Sequence, residues 1–330
     1  MSPRTFLSRA GRRLLLSDYL VLYFCAAYCL AVWPFAPDFA STANVRNVLS
    51  NVWPLLAVAV GQTVVLITGG IDLSVTSIIA LASVTGAWVM SGTTGLLAGH
   101  PLAVAAGIPA MLAVGVLVGL LNGLAISRLN MPPFIVTLTA MMFFSGLAVW
   151  ATHSQNIHNL PGTFVELGHG GVGPVSYALI ITVVLAVLLH GLLTRTTWGR
   201  WIYAVGHSCR TSRVSGVPVG TTILLAYVIS GACAVVGSIL YTARLETGSP
   251  VMGQRILLDV IGAAVLGGTS LFGGRGKVLW TVFGVLFITL VDNSLNMLGL
   301  SYFKIVMAMG GVILMAALID AARHRIASGR

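Results

Sequence analysis

Residues 102–126 read LAVAAGIPAMLAVGVLVGLLNGLAI and contain no charged side chain. A helix needs about 20 mostly apolar residues to cross the hydrocarbon core of a bilayer, and this stretch is long enough. The whole chain has the same character, because 57% of its residues are hydrophobic, 8% are charged and the mean hydropathy is +0.96. Soluble domains carry about 25% charged residues. The composition therefore predicts an all-α protein that crosses the membrane several times.

Ten stretches of the chain are apolar and close to this length. We predict a bundle of about ten transmembrane helices, within a single domain of residues 1–330, at residues 14–33, 48–68, 73–91, 102–126, 133–152, 175–193, 221–243, 256–272, 278–298 and 302–320. The first apolar run exceeds the roughly 7–15 residues of a signal-peptide core. We therefore expect it to remain as a span of the mature protein.

The lysines and arginines predict the orientation of the bundle, since cytoplasmic loops are enriched in both. With the N-terminus inside, four of these residues lie outside, namely Arg46, Arg244, Arg255 and Lys304, and the other fourteen lie in the cytoplasm. Both termini are then cytoplasmic, with basic segments at residues 1–13 and 321–330. The net charge of +10 is spread over loops beside the membrane, where it suits anionic lipid headgroups rather than nucleic acid.

No sequence pattern indicates an enzyme or an ATPase. The nearest approach to a phosphate-binding loop, at residues 271–278, has Leu271 where the first glycine belongs and Val278 where serine or threonine belongs. His153, His158 and His169 lie in one loop without the spacing of a metal pair. We expect no catalytic residue, no cofactor and no metal in this chain.

Acidic residues inside a membrane often mark ion-driven transport. Asp72 is the main candidate, and Asp259 and Asp292 lie near the ends of spans. Asp72 follows Gly69-Gly70 and precedes Leu73-Ser74, a pattern typical of one helix ending and the next one beginning. A side chain there can accept hydrogen bonds from free amides of the new helix. We favour this capping role and keep an ion site as the alternative.

Glycines and uncharged polar residues form two further groups. Gly115, Gly119 and Gly123 are spaced four apart and favour close helix packing over a substrate role. Breaks in the helices near the inner face are expected at three glycine pairs, Gly69-Gly70, Gly267-Gly268 and Gly273-Gly274. Each break would act as a gate or a tight turn, and the first includes Asp72 and Ser74. The polar group suits either a pathway for a hydroxyl-rich solute or hydrogen bonds between helices, and comprises Gln62, Asn122, Asn293 and Asn296.

The longest predicted cytoplasmic loop, residues 194–220, mixes aromatic and apolar residues with four arginines. This pattern predicts a short helix at the membrane surface. It fits an aromatic anchor at the interface and a docking surface for a cytoplasmic partner equally well.

Several motifs resemble the ribose-type permeases of ATP-binding-cassette importers. They occur in the family's order over about residues 45–320: GGIDLSV at 69–75, NG at 122–123, PPFIVTL at 132–138, a GR pair at 199–200 followed by AVG at 204–206, RVSG at 213–216, LDVI at 258–261, VLGGTSL at 265–271 and GGRG at 273–276.

The resemblance implies a permease subunit of the bacterial inner membrane that imports a monosaccharide or related polyol. Its implied partners are a separate ATPase subunit, a periplasmic solute-binding protein and a second permease copy or paralogue. The loop 194–220 resembles the family's coupling segment, which implicates Gly199, Arg200, Tyr203, Gly206, Arg210, Arg213 and Gly216 in contact with the ATPase. Residues 207–212 (HSCRTS) depart from the acidic and alanine-rich stretch that is common in relatives.

Three alternatives remain open at this stage. They are a secondary transporter driven by an ion gradient, a permease of the related branched-chain amino-acid importers, and a membrane subunit that binds partners without transport. The GGIDLS run favours the sugar branch.

Overall fold

The structure, a computed structural model, describes residues 19–328 and consists mainly of helices. The helices are α1 (Leu20–Val32), α2 (Thr42–Ile67), α3 (Val75–Met90), α4 (Ala103–Arg128), α5 (Pro133–Ala151), α6 (Gly162–His169), α7 (Tyr177–Arg195), α8 (Thr197–His207), α9 (Cys209–Val214), α10 (Val219–Leu245), α11 (Leu257–Gly267), α12 (Val278–Met297) and α13 (Tyr302–Ser328). A 3-10 turn occupies Pro37–Ala40, and strands β1 (Gly171–Val172) and β2 (Val175–Ser176) form a small antiparallel hairpin.

Six helices within residues 19–328 are long and apolar enough to cross a bilayer, namely α2, α4, α5, α7, α10 and α12. Shorter apolar helices cover the other four predicted stretches, at Leu20–Val32, Val75–Met90, Leu257–Gly267 and Tyr302–Met315. The predicted all-α membrane bundle is thus confirmed in outline. Residues 1–18, which hold the predicted basic N-terminal segment and the start of the first stretch, lie outside the described residues.

Two helix ends differ from the prediction for local reasons. The helix expected at residues 256–272 ends at Gly267, because Gly268 adopts a left-handed conformation with φ of 114°. At the C-terminal side, α13 continues as a helix to Ser328 and includes most of the predicted tail. Hydroxyl side chains fix several helix starts, since Ser41, Ser176, Thr196 and Ser208 each accept a hydrogen bond from an amide of the following helix.

The centre of the bundle is formed by α2 packed against α10, with α4 on the other side of α10. The glycine row of α4 faces α10. A Cβ on Gly119 would lie 2.5 Å from the carbonyl oxygen of Tyr227, and one on Gly123 would lie 2.9 Å from the Cα of Leu224. A Cβ on Gly115 would overlap the carbonyl oxygen of Gly231. The three glycines therefore lie where the two backbones approach most closely.

Both ends of the bundle carry connecting structure. At the end where α2 finishes, α8 and α9 link α7 to α10. At the opposite end, α6 and the hairpin form a cap, joined to the segment after α10 by backbone pairing of Ile157 with Gly248. In this cap, His169 Nε2 lies 3.4 Å from Glu246 Oε1. Across the described part of the chain, no three His, Cys, Asp or Glu side chains cluster in a way that suits a metal ion.

Candidate functional site

The connection from α2 to α3 is a sharp break that turns back into the bundle. Gly69 has a φ of 83°, a conformation that residues with a Cβ rarely adopt. Gly70 lies directly against the Tyr227 hydroxyl, where a Cβ would not fit. The chain then returns alongside the last turns of α2, so that Asp72 lies next to Gln62. The predicted break thus contains the tight turn expected from its two glycines.

Asp72 is fully buried and accepts hydrogen bonds from neutral groups. Its Oδ1 accepts from the Ser74 backbone amide at 3.0 Å and from the Ser74 hydroxyl at 2.6 Å. Its Oδ2 accepts from the Ser230 hydroxyl of α10 at 2.8 Å. Ser74 is the N-cap residue of α3. Asp72 therefore accepts a hydrogen bond from the backbone amide of Ser74, the N-cap residue that precedes the first turn of α3, and its capping of the helix amides stays a prediction.

Three further helices hold the same break. The side-chain amide of Asn122 in α4 donates to the Ser74 hydroxyl at 2.8 Å. The amide of Gln62 in α2, oriented to match its neighbours, donates to the Asp72 carbonyl at 3.1 Å and accepts from the Asp72 amide at 3.2 Å. Thr137 of α5 donates to the Ile71 carbonyl at 3.2 Å. Together with α10, these helices hold the break through hydrogen bonds between neutral side chains and the Asp72 carboxylate, the Ser74 hydroxyl or buried backbone groups. We call this set of contacts the clamp, formed around Asp72 by Gln62, Ser74, Asn122, Thr137, Tyr227 and Ser230.

The four candidate pathway residues lie in two separate places. Gln62 and Asn122 are buried in the clamp around Asp72. Asn293 and Asn296 lie near the other end of the bundle, where the Asn293 amide donates to Asn44 Oδ1 at 3.0 Å and the Asn296 amide donates to the Asp292 carbonyl at 2.7 Å. The structure therefore does not bring the four together.

The break at Gly69-Gly70 touches a second glycine-rich turn. Gly273 and Gly274 follow α11 with φ angles of 85° and 73°. The Gly274 amide donates to the Ile67 carbonyl at the end of α2, at 2.8 Å. A Cβ on Gly273 would lie 2.9 Å from the Cα of Gly69. Gly267 lies elsewhere, against the carbonyl of Trp280 in α12.

The C-terminal turn of α8 completes this contact. Gly206 lies so close to the Ile67 carbonyl oxygen that a Cβ would overlap it. The Tyr203 hydroxyl donates to the Gly276 carbonyl at 2.7 Å, and burial raises the pKa of Tyr203, which keeps the phenol a donor. We call the contact of Gly69, Gly206, Gly273 and Gly274 around the Ile67 carbonyl the glycine junction.

The predicted coupling segment is two helices with distinct buried and exposed sides. Gly199, Ile202 and Val205 of α8 face the bundle, and Gly199 lies against the Leu192 and Leu193 carbonyls. Gly216, with a φ of 80°, ends the segment just before α10. The exposed side carries the arginines, at positions Arg200, Arg210 and Arg213.

A family of transport proteins matches most of this chain. The model of the family described as the branched-chain amino acid transport system / permease component matches residues 44–318. The chain belongs to this family. The permease is 38% identical to the ribose import permease protein of Bacillus subtilis over 288 residues, which is 86% of each chain. It is 34% identical to the L-arabinose transport system permease protein of Escherichia coli, covering 92% of this chain and 90% of that protein. No solved structure matches it.

The D-allose transport system permease protein of Escherichia coli is a further relative, 31% identical over 90% of both chains. These relatives confirm the resemblance of the permease to the ribose-type permeases of ATP-binding-cassette importers. They favour this class over secondary transporters. The matched range includes the break, the clamp around Asp72 and the glycine junction.

Sequence reasoning missed two residues of the clamp. Ser230 and Tyr227 lie inside α10 and belong to none of the motifs. Ser230 donates to Asp72, and the Tyr227 hydroxyl donates to the Ile71 carbonyl at 3.4 Å. Their only signal in the sequence is a polar group within an apolar helix, which many helices share.

Proposed function

We propose that this permease is the membrane-spanning subunit of an ATP-binding-cassette importer for a monosaccharide or related polyol. The observation that carries the proposal is the identity of 31% to 38% with ribose, arabinose and allose permeases over 86% to 92% of the chain. The description of the family model names branched-chain amino acids instead, so these amino acids are the competing class of solute. ATP is hydrolysed by a separate subunit.

The proposed topology has ten spans, formed by the six long helices and the four shorter apolar ones. Both termini are cytoplasmic and the permease lies in the bacterial inner membrane. The charge distribution supports this orientation, since the loops on the side of α8 carry most of the lysines and arginines. Residues 1–330 form one permease domain with basic cytoplasmic segments at 1–13 and 321–330, and anionic lipid headgroups contact these charges.

The proposed partners bind at opposite ends. The ATPase docks on residues 194–220, a periplasmic binding protein delivers solute at the cap, and a second permease copy or paralogue completes the pathway. The glycine junction supports this assignment, because it places Gly206 of the docking segment against the carbonyl that ends α2. A movement of α8 would therefore displace the break at Asp72 through backbone contacts, because tightly packed backbone segments are nearly incompressible.

In this proposal the break acts as a gate. Gly69, Gly70, Asp72 and Ser74 form its moving part, and Gly267, Gly268, Gly273 and Gly274 provide the turns that accompany it. Gln62 and Asn122 hold the gate, since their amides bond the break itself. Asn293 and Asn296 remain candidates for contact with solute at the outer end.

The test is transport in vesicles that contain the permease with its ATPase and binding protein. We expect uptake of a radiolabelled pentose or hexose only when ATP is supplied on the ATPase side and the binding protein on the other. Labelled leucine and a polyol are run in parallel.

Two results would reject the proposal. Uptake driven by an ion gradient without ATP would return Asp72 to the role of an ion site. ATP-driven uptake of leucine and of no sugar would place the permease in the amino-acid branch.

A further inference from the structure

The segment after α10 turns inward instead of crossing over the outer end of the bundle. Beyond the cap, the Ser249 amide donates to the Ser83 hydroxyl at 3.3 Å, and Ser83 lies in the middle of α3. Further along, a Cβ on Gly253 would lie 3.0 Å from the side chain of Ile79, one turn nearer to the start of α3. The segment therefore descends alongside a membrane-spanning helix.

The helix that follows this segment, α11, is too short to cross the bilayer by itself. Its 11 residues cover about 16 Å, which is half of the ~30 Å hydrocarbon core. It ends at Gly267, against the Trp280 carbonyl in the first turn of α12, so it begins well below the outer end of α12. Irregular backbone at membrane depth occurs where protein buries it or where it lines a polar cavity.

Charged side chains meet where this half-helix begins. Asp259 in the first turn of α11 and Asp292 near the end of α12 interact electrostatically with each other and with Arg255. Both aspartates are partly exposed. Among the described residues, neither carboxylate forms an ion pair, and the Arg255 Cζ lies 4.1 Å from the centre of the Tyr302 ring. Ionisable groups at this depth typically face a water-filled cavity and mark the path of a solute or an ion.

Two buried polar atoms on α12 have no hydrogen-bond partner within residues 19–328. They are Thr289 Oγ1 and Asn293 Oδ1, on side chains that are 5% and 7% exposed. With Asp292 and Asn296, these residues recur every three or four positions and share one side of the helix. Asn293 bonds Asn44 of α2, whereas Asp292 interacts with α11. This polar side of α12 therefore faces the seam between α2 and α11, and its unpaired atoms indicate a place for a polar ligand.

The groups at this seam are mainly hydrogen-bond acceptors. The carboxylates of Asp259 and Asp292 and the Asn293 oxygen accept, the Thr289 hydroxyl both donates and accepts, and the Arg255 guanidinium donates. A sugar suits this set, since each of its hydroxyls donates one hydrogen bond and also accepts. An amino acid suits it less well, because its carboxylate would meet two aspartates and an aliphatic side chain would leave the acceptors unpaired.

We propose that Asp259, Asp292 and Asn293 bind hydroxyl groups of the solute at this seam. The solute reaches the seam after it leaves the cap and before it passes the clamp. This inference rests on the proposed function, and it adds a binding site within the membrane and the chemistry by which that site recognises the solute.

The test measures how fast a cysteine beside the site is labelled. Ser301→Cys places a thiol at an exposed position next to Tyr302, and the full-length variant in liposomes is treated with a membrane-impermeant maleimide. We expect D-ribose, L-arabinose or D-allose, chosen from the names of the relatives, to slow labelling in a saturable way, and leucine to have no effect. Gln155→Cys, exposed elsewhere at the same end, should be labelled at a rate that no sugar changes. Permease with only its own four cysteines gives the background.

Substitutions in the Ser301→Cys chain test the assigned residues. Asp259→Asn removes a charged acceptor and should raise the sugar concentration that halves labelling about 10-fold. Thr289→Val removes one hydroxyl and should raise it about 5-fold. The matched control Asp38→Asn changes an exposed carboxylate at the same end and should leave it unchanged. A labelling rate without sugar that differs from that of Ser301→Cys alone identifies a misfolded variant, and the other substitution then decides.

Two results would overturn the inference. The first is that none of the three sugars slows labelling, or that Asp259→Asn and Thr289→Val match Asp38→Asn, in which case water alone occupies the seam. The second is that leucine slows labelling and no sugar does. If the complete transporter still imports a sugar with ATP, either result leaves the importer intact. If it imports no sugar in any condition, the proposed function itself fails and this inference fails with it.

Discussion

The clamp around Asp72 predicts different outcomes for two substitutions at that position. In Asp72→Asn, the remaining Oδ1 still accepts both bonds from Ser74, and the new amide can donate to Ser230. The Ser230 hydroxyl is then free to donate to a backbone carbonyl one turn earlier in α10. Since every buried group keeps a partner, we expect a loss of about 1 kcal/mol in the free energy of unfolding.

Asp72→Ala removes all three acceptor contacts. The two hydroxyls can turn to backbone carbonyls, but the Ser74 amide is buried and has no other acceptor in the clamp. An orphaned buried amide costs about 1–3 kcal/mol, and the space left by the carboxyl group adds to this. We expect a total loss of about 3–5 kcal/mol.

The assay combines detergent-driven unfolding of the purified variants with ATP-driven uptake in vesicles. Asp72→Asn should retain most of the uptake, and Asp72→Ala should lose both stability and uptake. Asp38→Asn, an exposed carboxylate at the opposite end, serves as the control and should match wild type in both assays. The reasoning is refuted if Asp72→Asn folds as stably as wild type but transports nothing, because the negative charge would then be needed for more than capping.

Three further predictions follow from close backbone contacts and from one partly buried hydrogen bond. Gly119→Ala places a Cβ 2.5 Å from the Tyr227 carbonyl, so α4 and α10 must separate, and the unfolding free energy should fall by about 1–3 kcal/mol. Gly191 has open space around it, so the control variant Gly191→Ala should leave the unfolding free energy unchanged. Equal losses of unfolding free energy in Gly119→Ala and Gly191→Ala would contradict the packing argument. Gly206→Ala pushes α8 away from the Ile67 carbonyl, so the ratio of solute imported to ATP hydrolysed should fall. Its control is Gly220→Ala, where an added Cβ would lie 3.8 Å from its nearest neighbour, and this variant should have the wild-type ratio. Tyr203→Phe removes the bond to the Gly276 carbonyl, worth about 0.5–1.5 kcal/mol, and should lower the same ratio with little change in thermal midpoint. If Gly206→Ala and Tyr203→Phe both import as much solute per ATP as wild type, the contacts of α8 at and beside the glycine junction do not couple ATP hydrolysis to transport.

The sequence by itself determined the class of the protein and its local interruptions. Apolar stretches of about 20 residues identify spans because the bilayer imposes their length. The glycine pairs at 69–70 and 273–274 marked tight turns, since left-handed backbone is a local property of glycine. The row of Gly115, Gly119 and Gly123 indicated a close helix contact, although it did not show that α10 is the partner.

Only the tertiary structure decided which of these features meet. Asp72 and Ser230 are 158 residues apart, and no spacing rule predicts that their side chains share a hydrogen bond. The glycine junction likewise joins α2, α8 and the turn after α11, three segments that the sequence presented as unrelated breaks. Hydropathy identifies each helix but does not predict which helices become neighbours, because apolar helices are all soluble in lipid. The choice of neighbours depends instead on matching surfaces and on polar groups that find each other only when the bundle closes.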